Sequence, residues 1–434
     1  MPRPIVVSVL ALACAVVAGG QPALTSAGRQ ANIDSFEHAW KTVLDKHWDP
    51  KLGGIDWQAV HDELRPGIEA AKTMDEARKV MSSMLERLKL THYGIIPADV
   101  YRELDPSDAS GGGARDADPG IDLRVIEGHA LVTSVEPGSP AAAHGVKPGW
   151  EIVRVNGAEM APALQRIQQQ FAASTLLDLR LARSVLSRLQ GPKGATVHLD
   201  FLDAADRTVS LGLDRVQPRG QLAHLGNMPP MYFWAEWRKV RPDIGYVRFN
   251  LFLEPDVLSK TFADAVNGCG GCNGFVIDLR GNPGGIGGLA MGAAGWFMGE
   301  SGVELGTTYL RGATLKFVVF PRPQPFLGPL AILVDGCSAS TAEILAAGLK
   351  DAKRARIFGT RTAGAALPSI IERLPNGDGF QYAIANYISQ GGKPLEGIGV
   401  IPDEEVRPTR RQLLAGQDPA LDAAVEWIRN QKKK

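Results

Sequence analysis

The chain has 434 residues and carries 47 Lys plus Arg against 47 Asp plus Glu, so its formal net charge is zero. At roughly 150 residues per domain, this length allows about three domains. A neutral chain has no excess positive charge to attract a polyanion, so we expect no nucleic-acid partner. Apolar residues make up 44% and charged residues 22%, which are ordinary values for globular proteins and exclude long-range disorder.

The N-terminus has the pattern of a secretory signal. It begins MPRP, continues with the apolar run Ile5 to Ala18, and then offers small-residue cleavage sites up to Ala27. This predicts a signal peptide over residues 1–27 and an exported protein, periplasmic or extracellular. The alternative is a membrane anchor, but about 14 apolar residues fall short of the roughly 20 needed to span a bilayer. We therefore expect no membrane span after signal removal.

Helical periodicity follows the signal. Between Ile33 and Leu90, apolar residues recur at steps of three and four, which predicts an N-terminal helical domain over residues 28–105. Residues 106–119 hold almost nothing that could be buried and are predicted to form a linker.

Residues 120–217 combine a short turn with strand and helix signals. They hold the turn Gly138-Ser139-Pro140-Ala141, a strand over Glu151 to Val155, one long helix over Ala163 to Leu189, and strands at Thr196 to Leu202 and Thr208 to Leu213. In this order the features resemble a PDZ module. PDZ modules capture peptide C-termini by strand addition. The corresponding carboxylate loop here consists of Gly120, Ile121, Asp122 and Leu123. Asp122 stands where a glycine is usual, and its charge would oppose a bound carboxylate.

Beyond residue 217, strand and helix signals alternate, which predicts an α/β core domain over residues 218–434. The predicted strands are Ile244 to Phe249, Gly274 to Leu279, Leu330 to Val334 and Ala355 to Phe358. The predicted helices are Val257 to Val266, Gly288 to Phe297 and Thr341 to Leu349.

Two loops of this core could carry chemistry. The glycine-rich DLRGNPGG, residues 278–285, lies between a strand and a helix, where backbone N–H groups can bind a phosphate or an oxyanion. It lacks the lysine of a nucleotide-binding P-loop, and a plain turn explains it equally well. In CSASTAEILAAGL, residues 337–349, a serine stands at a helix start; Ser338 or Ser340 could also simply cap that helix, with Glu343 completing a capping box.

Two further segments are ordinary when each is considered alone. Thr91-His92 follows the helical region, and a lone histidine is usually structural or solvated. Glu396 lies in LEGIGVIPD, and a lone glutamate is normally a solvated surface group.

Together, the four segments resemble the serine peptidases that include the C-terminal processing (tail-specific) proteases and the tricorn core. The resemblance covers nearly the whole chain after the signal. It implies a multidomain α+β protein with an N-terminal helical domain, a PDZ-like β-rich module and an α/β catalytic core of the ClpP/crotonase-like type. It also implies an enzyme that hydrolyses peptide bonds in peptides or unfolded proteins.

Two catalytic arrangements are known in this superfamily. One pairs the serine with a lysine about 25 residues downstream, and alignment on Glu343 places Ala365 at that lysine position. The tricorn-like arrangement uses a hydroxyl residue followed by His, the same Ser, and a Glu, which correspond here to Thr91, His92, Ser340 and Glu396.

The tricorn-like arrangement implies a role for each residue. Ser340 is the nucleophile, His92 is the general base, and Glu396 and Thr91 support it. The oxyanion hole is expected from the N–H of Thr341 with that of Gly284 or Gly285. With an unperturbed imidazole, activity should rise on the order of pH 6 to 7.

Cys269-Gly270-Gly271-Cys272 is half of a zinc site at most, so we predict no metal and no cofactor. In an exported protein, a local disulfide between these cysteines is favoured over free thiols. Two other functions stay open: a non-catalytic ligand- or peptide-binding protein on the same fold, and a Ser-Lys protease that recruits Lys393.

Overall fold

A computed structural model describes residues 24–98 and 117–431. Residues 1–23 of the predicted signal and residues 106–116 of the predicted linker lie outside this range. Within it, no helix has the length and apolar character needed to cross a membrane.

The N-terminal region is helical, as its periodicity predicts. Its elements are α1 (Ser26–Lys46), α2 (Trp57–Ala70), α3 (Met74–Glu86) and the short strand β1 (Gly94–Ile96). Thr25 caps α1 by accepting the Gly28 N–H at 3.1 Å. The helix therefore begins inside the segment predicted as signal.

The N-terminal helices share one apolar core with the C-terminal part of the chain. Phe36 and Met81 pack in the same cluster as Phe380 and Tyr382, and β1 continues this contact by pairing antiparallel with residues 379–381. Because β1 begins two residues after His92, this pairing fixes the histidine against the core.

Residues 117–216 form a β-rich module. Its elements in chain order are β2 (Ile121–Ile126), β3 (His129–Val135), α4 (Pro140–Ala143), β4 (Glu151–Val155), β5 (Ala158–Glu159), α5 (Ala161–Phe171), α6 (Leu177–Leu189), β6 (Thr196–Leu202) and β7 (Thr208–Asp214). The main sheet has the order β2-β3-β4-β6-β7, which leaves β2 at an edge.

The prediction of one long helix over Ala163 to Leu189 is wrong, because the structure has two helices there. Between them, the Ser174 hydroxyl accepts the N–H of Leu176 at 3.2 Å. Serine competes in this way for backbone donors and interrupts helices.

The core domain adds the remaining elements. In chain order these are β8 (Gln221–Ala223), β9 (Met231–Phe233), β10 (Ala235–Arg241), β11 (Ile244–Phe249), α7 (Pro255–Gly268), β12 (Gly274–Asp278), α8 (Gly288–Ala294), β13 (Glu304–Leu310), β14 (Ala313–Val318), β15 (Leu330–Val334), α9 (Thr341–Asp351), β16 (Ala355–Gly359), β17 (Ser369–Arg373), β18 (Gly379–Ala383), β19 (Ala385–Ser389), β20 (Glu404–Glu405), α10 (Arg410–Leu414) and α11 (Pro419–Gln431).

The central sheet has six strands in the order β10-β11-β12-β15-β16-β20. The pairs from β11 to β20 are parallel, and only the β10 pair is antiparallel. All residues of β12 and β15 are buried, which explains their continuous apolar runs. In parallel sheets, ligands bind beyond the carboxyl ends of the strands, so the loops after β12 and β15 define the functional edge.

Two smaller sheets flank this core, β1-β18-β17 and β14-β13-β19. Cys269 and Cys272, just after α7, are joined by a disulfide in the structure, whereas Cys337 is a buried free thiol.

Candidate active site

The loops after β12 and β15 are bonded to each other along their length. The Ser338 hydroxyl donates to the Leu279 carbonyl at 2.8 Å, and the Ala339 N–H donates to the Asn282 carbonyl at 2.9 Å. The Thr341 hydroxyl then donates to the Gly285 carbonyl at 2.8 Å. The glycine-rich loop and the serine loop therefore form one rigid unit.

Ser340 lies at the start of α9 with φ 55° and ψ −120°. This is an unfavourable conformation for a residue with a side chain, and such strain tends to occur at functional sites. The sharp turn leaves Ser340 partly exposed while its neighbours Ala339 and Thr341 are buried. A serine presented at a strained strand-to-helix turn is suited to nucleophilic attack.

Glu343 holds this turn in place. Its fully buried carboxylate accepts four hydrogen bonds, from the Ser340 N–H at 2.9 Å, the Thr362 hydroxyl at 2.5 Å, the Gly364 N–H at 2.8 Å and the Ala365 N–H at 2.9 Å. Burial raises the pKa of Glu343 to about 7, whereas these four donors favour the ionised form. Sequence analysis identified Glu343 only as a helix cap, because its other partners are distant in the chain.

Of the three N–H groups predicted as oxyanion donors, two remain available to bind an oxyanion. Gly284 donates its N–H to the Asn282 side chain at 2.9 Å, so this group is already used. Among the described residues, the N–H groups of Thr341 and Gly285 make no hydrogen bond. A Cβ on Gly284 would lie 2.6 Å from the Ser340 Cβ and 2.9 Å from the Thr341 N, so only glycine allows this close approach.

Thr91, His92 and Glu396 form a continuous hydrogen-bonded chain. The Thr91 hydroxyl lies 2.8 Å from His92 Nδ1 and donates to Glu396 Oε2 at 2.9 Å. The Thr91 N–H also donates to Glu396 Oε1 at 2.7 Å. Because the single hydroxyl proton goes to Glu396, Thr91 accepts from Nδ1–H, and the lone pair of His92 Nε2 is left to accept a proton.

The surroundings of His92 favour the neutral imidazole. Burial, together with the positive charge of Arg183 on α6, lowers the pKa of His92 to about 4. The condition of an unperturbed imidazole, on which the rise of activity near pH 6 to 7 depended, is therefore not met in this structure. Sequence analysis missed Arg183 because it comes from the β-rich module, far from His92 in the chain.

The loop of residues 362–366 connects the base region to the nucleophile. The Ala366 N–H donates to Glu396 Oε2 at 3.3 Å, and the adjacent Ala365 carbonyl accepts the Ser340 N–H at 2.8 Å. Within the part of the chain that the structure describes, no hydrogen bond joins His92 to Ser340. Burial raises the pKa of Glu396, which accepts three hydrogen bonds in total.

Neither of the two positions considered for a lysine base, Ala365 and Lys393, places a lysine beside Ser340. Ala365 is buried with Ala339 and Ala363 beside the serine turn. Lys393 is exposed in the turn after β19.

The predicted carboxylate loop and parts of the glycine-rich and serine loops line one cleft of about 1060 Å³. Gly120, Ile121 and Asp122 line one side of the cleft, whereas Leu123 is fully buried. Arg183 and Pro283 line other parts of its wall. The β-rich module therefore forms one wall of a cleft that reaches the glycine-rich loop.

The chain matches two protease family models and a group of processing proteases. Residues 243–406 match the family model for peptidase family S41, and residues 32–86 match the model for the tricorn protease C1 domain. A carboxyl-terminal-processing protease from Picosynechococcus sp. is 27% identical over 395 residues, which cover 86% of this chain and 83% of that protein.

Solved structures show the same fold. A photosystem II D1 C-terminal processing protease aligns with a TM-score of 0.57 and 21% identity, covering 92% of this chain and 99% of the other. Mature CPAF aligns with a TM-score of 0.61 and 14% identity, covering 94% and 97%. Over residues 243–406 the chain is therefore similar to peptidase family S41, and it is a serine peptidase.

Proposed function

We propose that this protein is an exported serine endopeptidase that hydrolyses peptide bonds in peptides or unfolded proteins through Ser340, His92 and Glu396. The observation that carries the proposal is the hydrogen-bonded chain from Glu396 through Thr91 to His92 Nδ1. It orients the imidazole and leaves Nε2 as the proton acceptor.

In the proposed reaction, His92 Nε2 takes the Ser340 hydroxyl proton as Oγ attacks the substrate carbonyl carbon. The Thr341 and Gly285 N–H groups stabilise the resulting oxyanion. The imidazolium then donates its proton to the leaving amine, and water hydrolyses the acyl-enzyme by the same steps. Glu396 stabilises the transient imidazolium through Thr91. Among the described residues no hydrogen bond joins His92 to Ser340, and catalytic hydrogen bonds often form only with substrate.

Two observations weigh against the alternatives. The exposure of Lys393 disfavours a Ser-Lys protease, since a lysine base needs burial to lower its pKa. The strained Ser340 turn together with unused N–H groups at Thr341 and Gly285 disfavours a non-catalytic binding protein, in which neither feature would serve a purpose.

The decisive experiment compares Ser340→Ala, His92→Ala and Lys393→Ala with the unmodified enzyme on an unfolded casein-like substrate. We expect no cleavage by Ser340→Ala, loss of most turnover in His92→Ala, and near-normal activity in Lys393→Ala. Melting temperatures and circular dichroism check that each variant is folded.

A dead Lys393→Ala enzyme beside an active His92→Ala enzyme would support the Ser-Lys mechanism instead. An unmodified protein that binds peptides without cleaving any would support the binding function. Export is tested separately by N-terminal sequencing of the exported protein. Its first residue should not be Met1 and should lie within or just after the predicted signal.

A further inference from the structure

Strand β2 has the position of a peptide receptor. It lies at the edge of its sheet, and its first residues line the cleft together with Arg183 and Leu186 of α6. Edge strands present backbone groups to which another chain can add, and PDZ modules bind peptides in this way.

In this protein, the backbone N–H and carbonyl of Leu123 are already hydrogen-bonded to side chains of β2 itself. Its N–H donates to Asp122 Oδ1 at 2.9 Å, and its carbonyl accepts from Arg124 Nη1 at 2.6 Å. Arg124 Nη1 also donates to Asp122 Oδ1 at 2.8 Å, which closes the arrangement. A strand adding at Leu123 would have to displace both side chains.

The same Arg124 reaches the catalytic loops. Its Nε donates to Asp335 Oδ2 at 2.7 Å, while Asp335 Oδ1 accepts the N–H of Gly281 at 2.9 Å and that of Cys337 at 3.0 Å. Gly281 belongs to the glycine-rich loop and Cys337 to the serine loop. One carboxylate therefore joins both catalytic loops, and the β-rich module provides its counter-charge.

Burial makes these contacts costly to break. The side chains of Arg124 and Asp335 are each 15% exposed, and an unpaired charge is poorly tolerated at such sites. A Cβ on Gly281 would lie 2.5 Å from Arg124 Nη2, so the guanidinium fits closely against the loop.

A second ion pair crosses the same boundary. Asp122 Oδ2 lies 3.7 Å from Nη2 of Arg248, which belongs to β11 of the core. Burial acts to raise the pKa of Asp122, but Arg124 and Arg248 outweigh it and hold that pKa below its usual value. Asp122 is therefore a charged member of the boundary, in a loop where a PDZ module would leave room for a ligand carboxylate.

We propose that β2 clamps the β-rich module onto the core instead of receiving a peptide C-terminus, and that Arg124 is a positioning residue for the two catalytic loops. This proposal rests on the proposed function only for its kinetic consequence. Arg124 acts through Asp335, which sets the distance between the loop carrying Ser340 and the loop carrying the oxyanion donor Gly285.

The kinetic test compares Arg124→Lys with Arg154→Lys. Lysine keeps the charge of Arg124 but cannot bond Asp335, Asp122 and the Leu123 carbonyl together. Arg154 is an exposed arginine of β4, paired with Glu159, and its substitution is the matched control. Assayed well below its melting temperature, Arg124→Lys should lose about a hundredfold in kcat with little change in KM, since displaced catalytic groups typically cost that much.

Phosphonylation of Ser340 by a small fluorophosphonate should slow in parallel, because this reagent needs no substrate-binding contacts. Normal kcat in Arg124→Lys, or a loss confined to KM, would overturn the positioning role.

Hydrogen–deuterium exchange tests the clamp without any activity. Arg124→Lys should speed exchange in residues 279–285 and 336–342, whereas Arg154→Lys should not. Unchanged exchange in both segments would overturn the clamp. If the enzyme proves inactive but exchange changes as expected, the clamp stands and the proposed function fails.

The occupied edge is tested in the full-length Ser340→Ala chain with a fluorescein-labelled decapeptide that ends in a free carboxylate. Adding Asp122→Gly should increase its affinity by about tenfold or more, because the blocking carboxylate is gone. If the peptide bound tightly to Ser340→Ala alone, and Asp122→Gly did not increase its affinity, β2 would be an open receptor and the proposal would be overturned.

Discussion

The proposed nucleophile and the proposed base of this enzyme are held by different means. Ser340 is fixed through its backbone, by a strained turn whose N–H donates to Glu343 and to the Ala365 carbonyl. The imidazole of His92 is held by a single hydroxyl, which connects Nδ1 to Glu396. Many bonds hold the serine turn, whereas the imidazole depends on Thr91.

The proposed mechanism gives a functional reason for this difference. The nucleophile must be presented at one point relative to the oxyanion donors, so a rigid backbone serves it. The base must reach Ser340, exchange a proton and recover its tautomer, which a hydroxyl relay on a separate segment permits. Substitutions should therefore affect both geometry and stability on the serine side, and mainly turnover on the histidine side.

The largest effect is expected from Glu343→Gln. Each carboxylate oxygen of Glu343 accepts two donors, so a glutamine NH₂ group would face two donors in either orientation. We expect about a hundredfold loss of kcat, by analogy with other displaced catalytic groups. We also expect destabilisation by about 2 kcal/mol, the usual cost of unsatisfied buried groups. Steady-state kinetics and denaturant unfolding measure the two.

Thr362 provides the matched pair for that experiment. Thr362→Val removes the hydroxyl that donates to Glu343 and accepts the Val400 N–H at 2.6 Å, whereas Thr362→Ser keeps both bonds. Thr362→Val should lower kcat and stability, as Glu343→Gln does. Thr362→Ser should behave like the unmodified enzyme. If Glu343→Gln, Thr362→Val and Thr362→Ser all had the stability and turnover of the unmodified enzyme, the serine turn would not depend on the bonds to Glu343, and its contrast with the imidazole would be lost.

A smaller effect is expected at Thr91. Thr91→Val has nearly the same shape but breaks the link from Glu396 to His92, so kcat should fall by at least about tenfold, within the range of general acid–base contributions. Thr91→Ser keeps the hydroxyl and should retain most activity. Melting temperatures should change little in either variant. A valine variant as active as the serine variant would show that the relay is not needed.

The smallest effect concerns the pH profile. Because the pKa of His92 is lowered to about 4, the neutral base should persist, and the acid limb of kcat/KM should lie near pH 4. Burial contributes most to this shift and Arg183 contributes the rest. Arg183→Ala removes a positive charge that opposes the imidazolium, so the pKa should rise and the limb should move to higher pH.

Arg180→Ala is the control for this measurement. Arg180 lies on the same helix and stacks over Phe171, with 4.1 Å from its guanidinium carbon to the ring centroid. Arg183, and not Arg180, is the charge that lowers the pKa of His92. A limb that stays fixed in Arg183→Ala, or moves equally in Arg180→Ala, would contradict the assigned electrostatics.

Local sequence patterns predicted the elements that carry the site. The apolar runs at Ile244–Phe249 and Leu330–Val334 gave these strands with their observed bounds, because buried parallel strands read as continuous apolar segments. The strands β13 and β14 were not predicted. Most residues of β14 are exposed, so this strand lacks the apolar run of a buried one.

By itself, the sequence predicted the α/β core and the serine loop, since residue types and spacing within short segments are local properties. The four residues of the candidate site were implied by the resemblance to known serine peptidases. Tertiary structure alone decided which oxyanion N–H groups are unused, why the imidazole stays neutral, and where Arg124 binds. These depend on groups far apart in the chain: Asn282 with Gly284, Arg183 with His92, Arg124 with Asp335. Hydrogen bonds and charges act over a few ångströms of space, and only folding sets those distances.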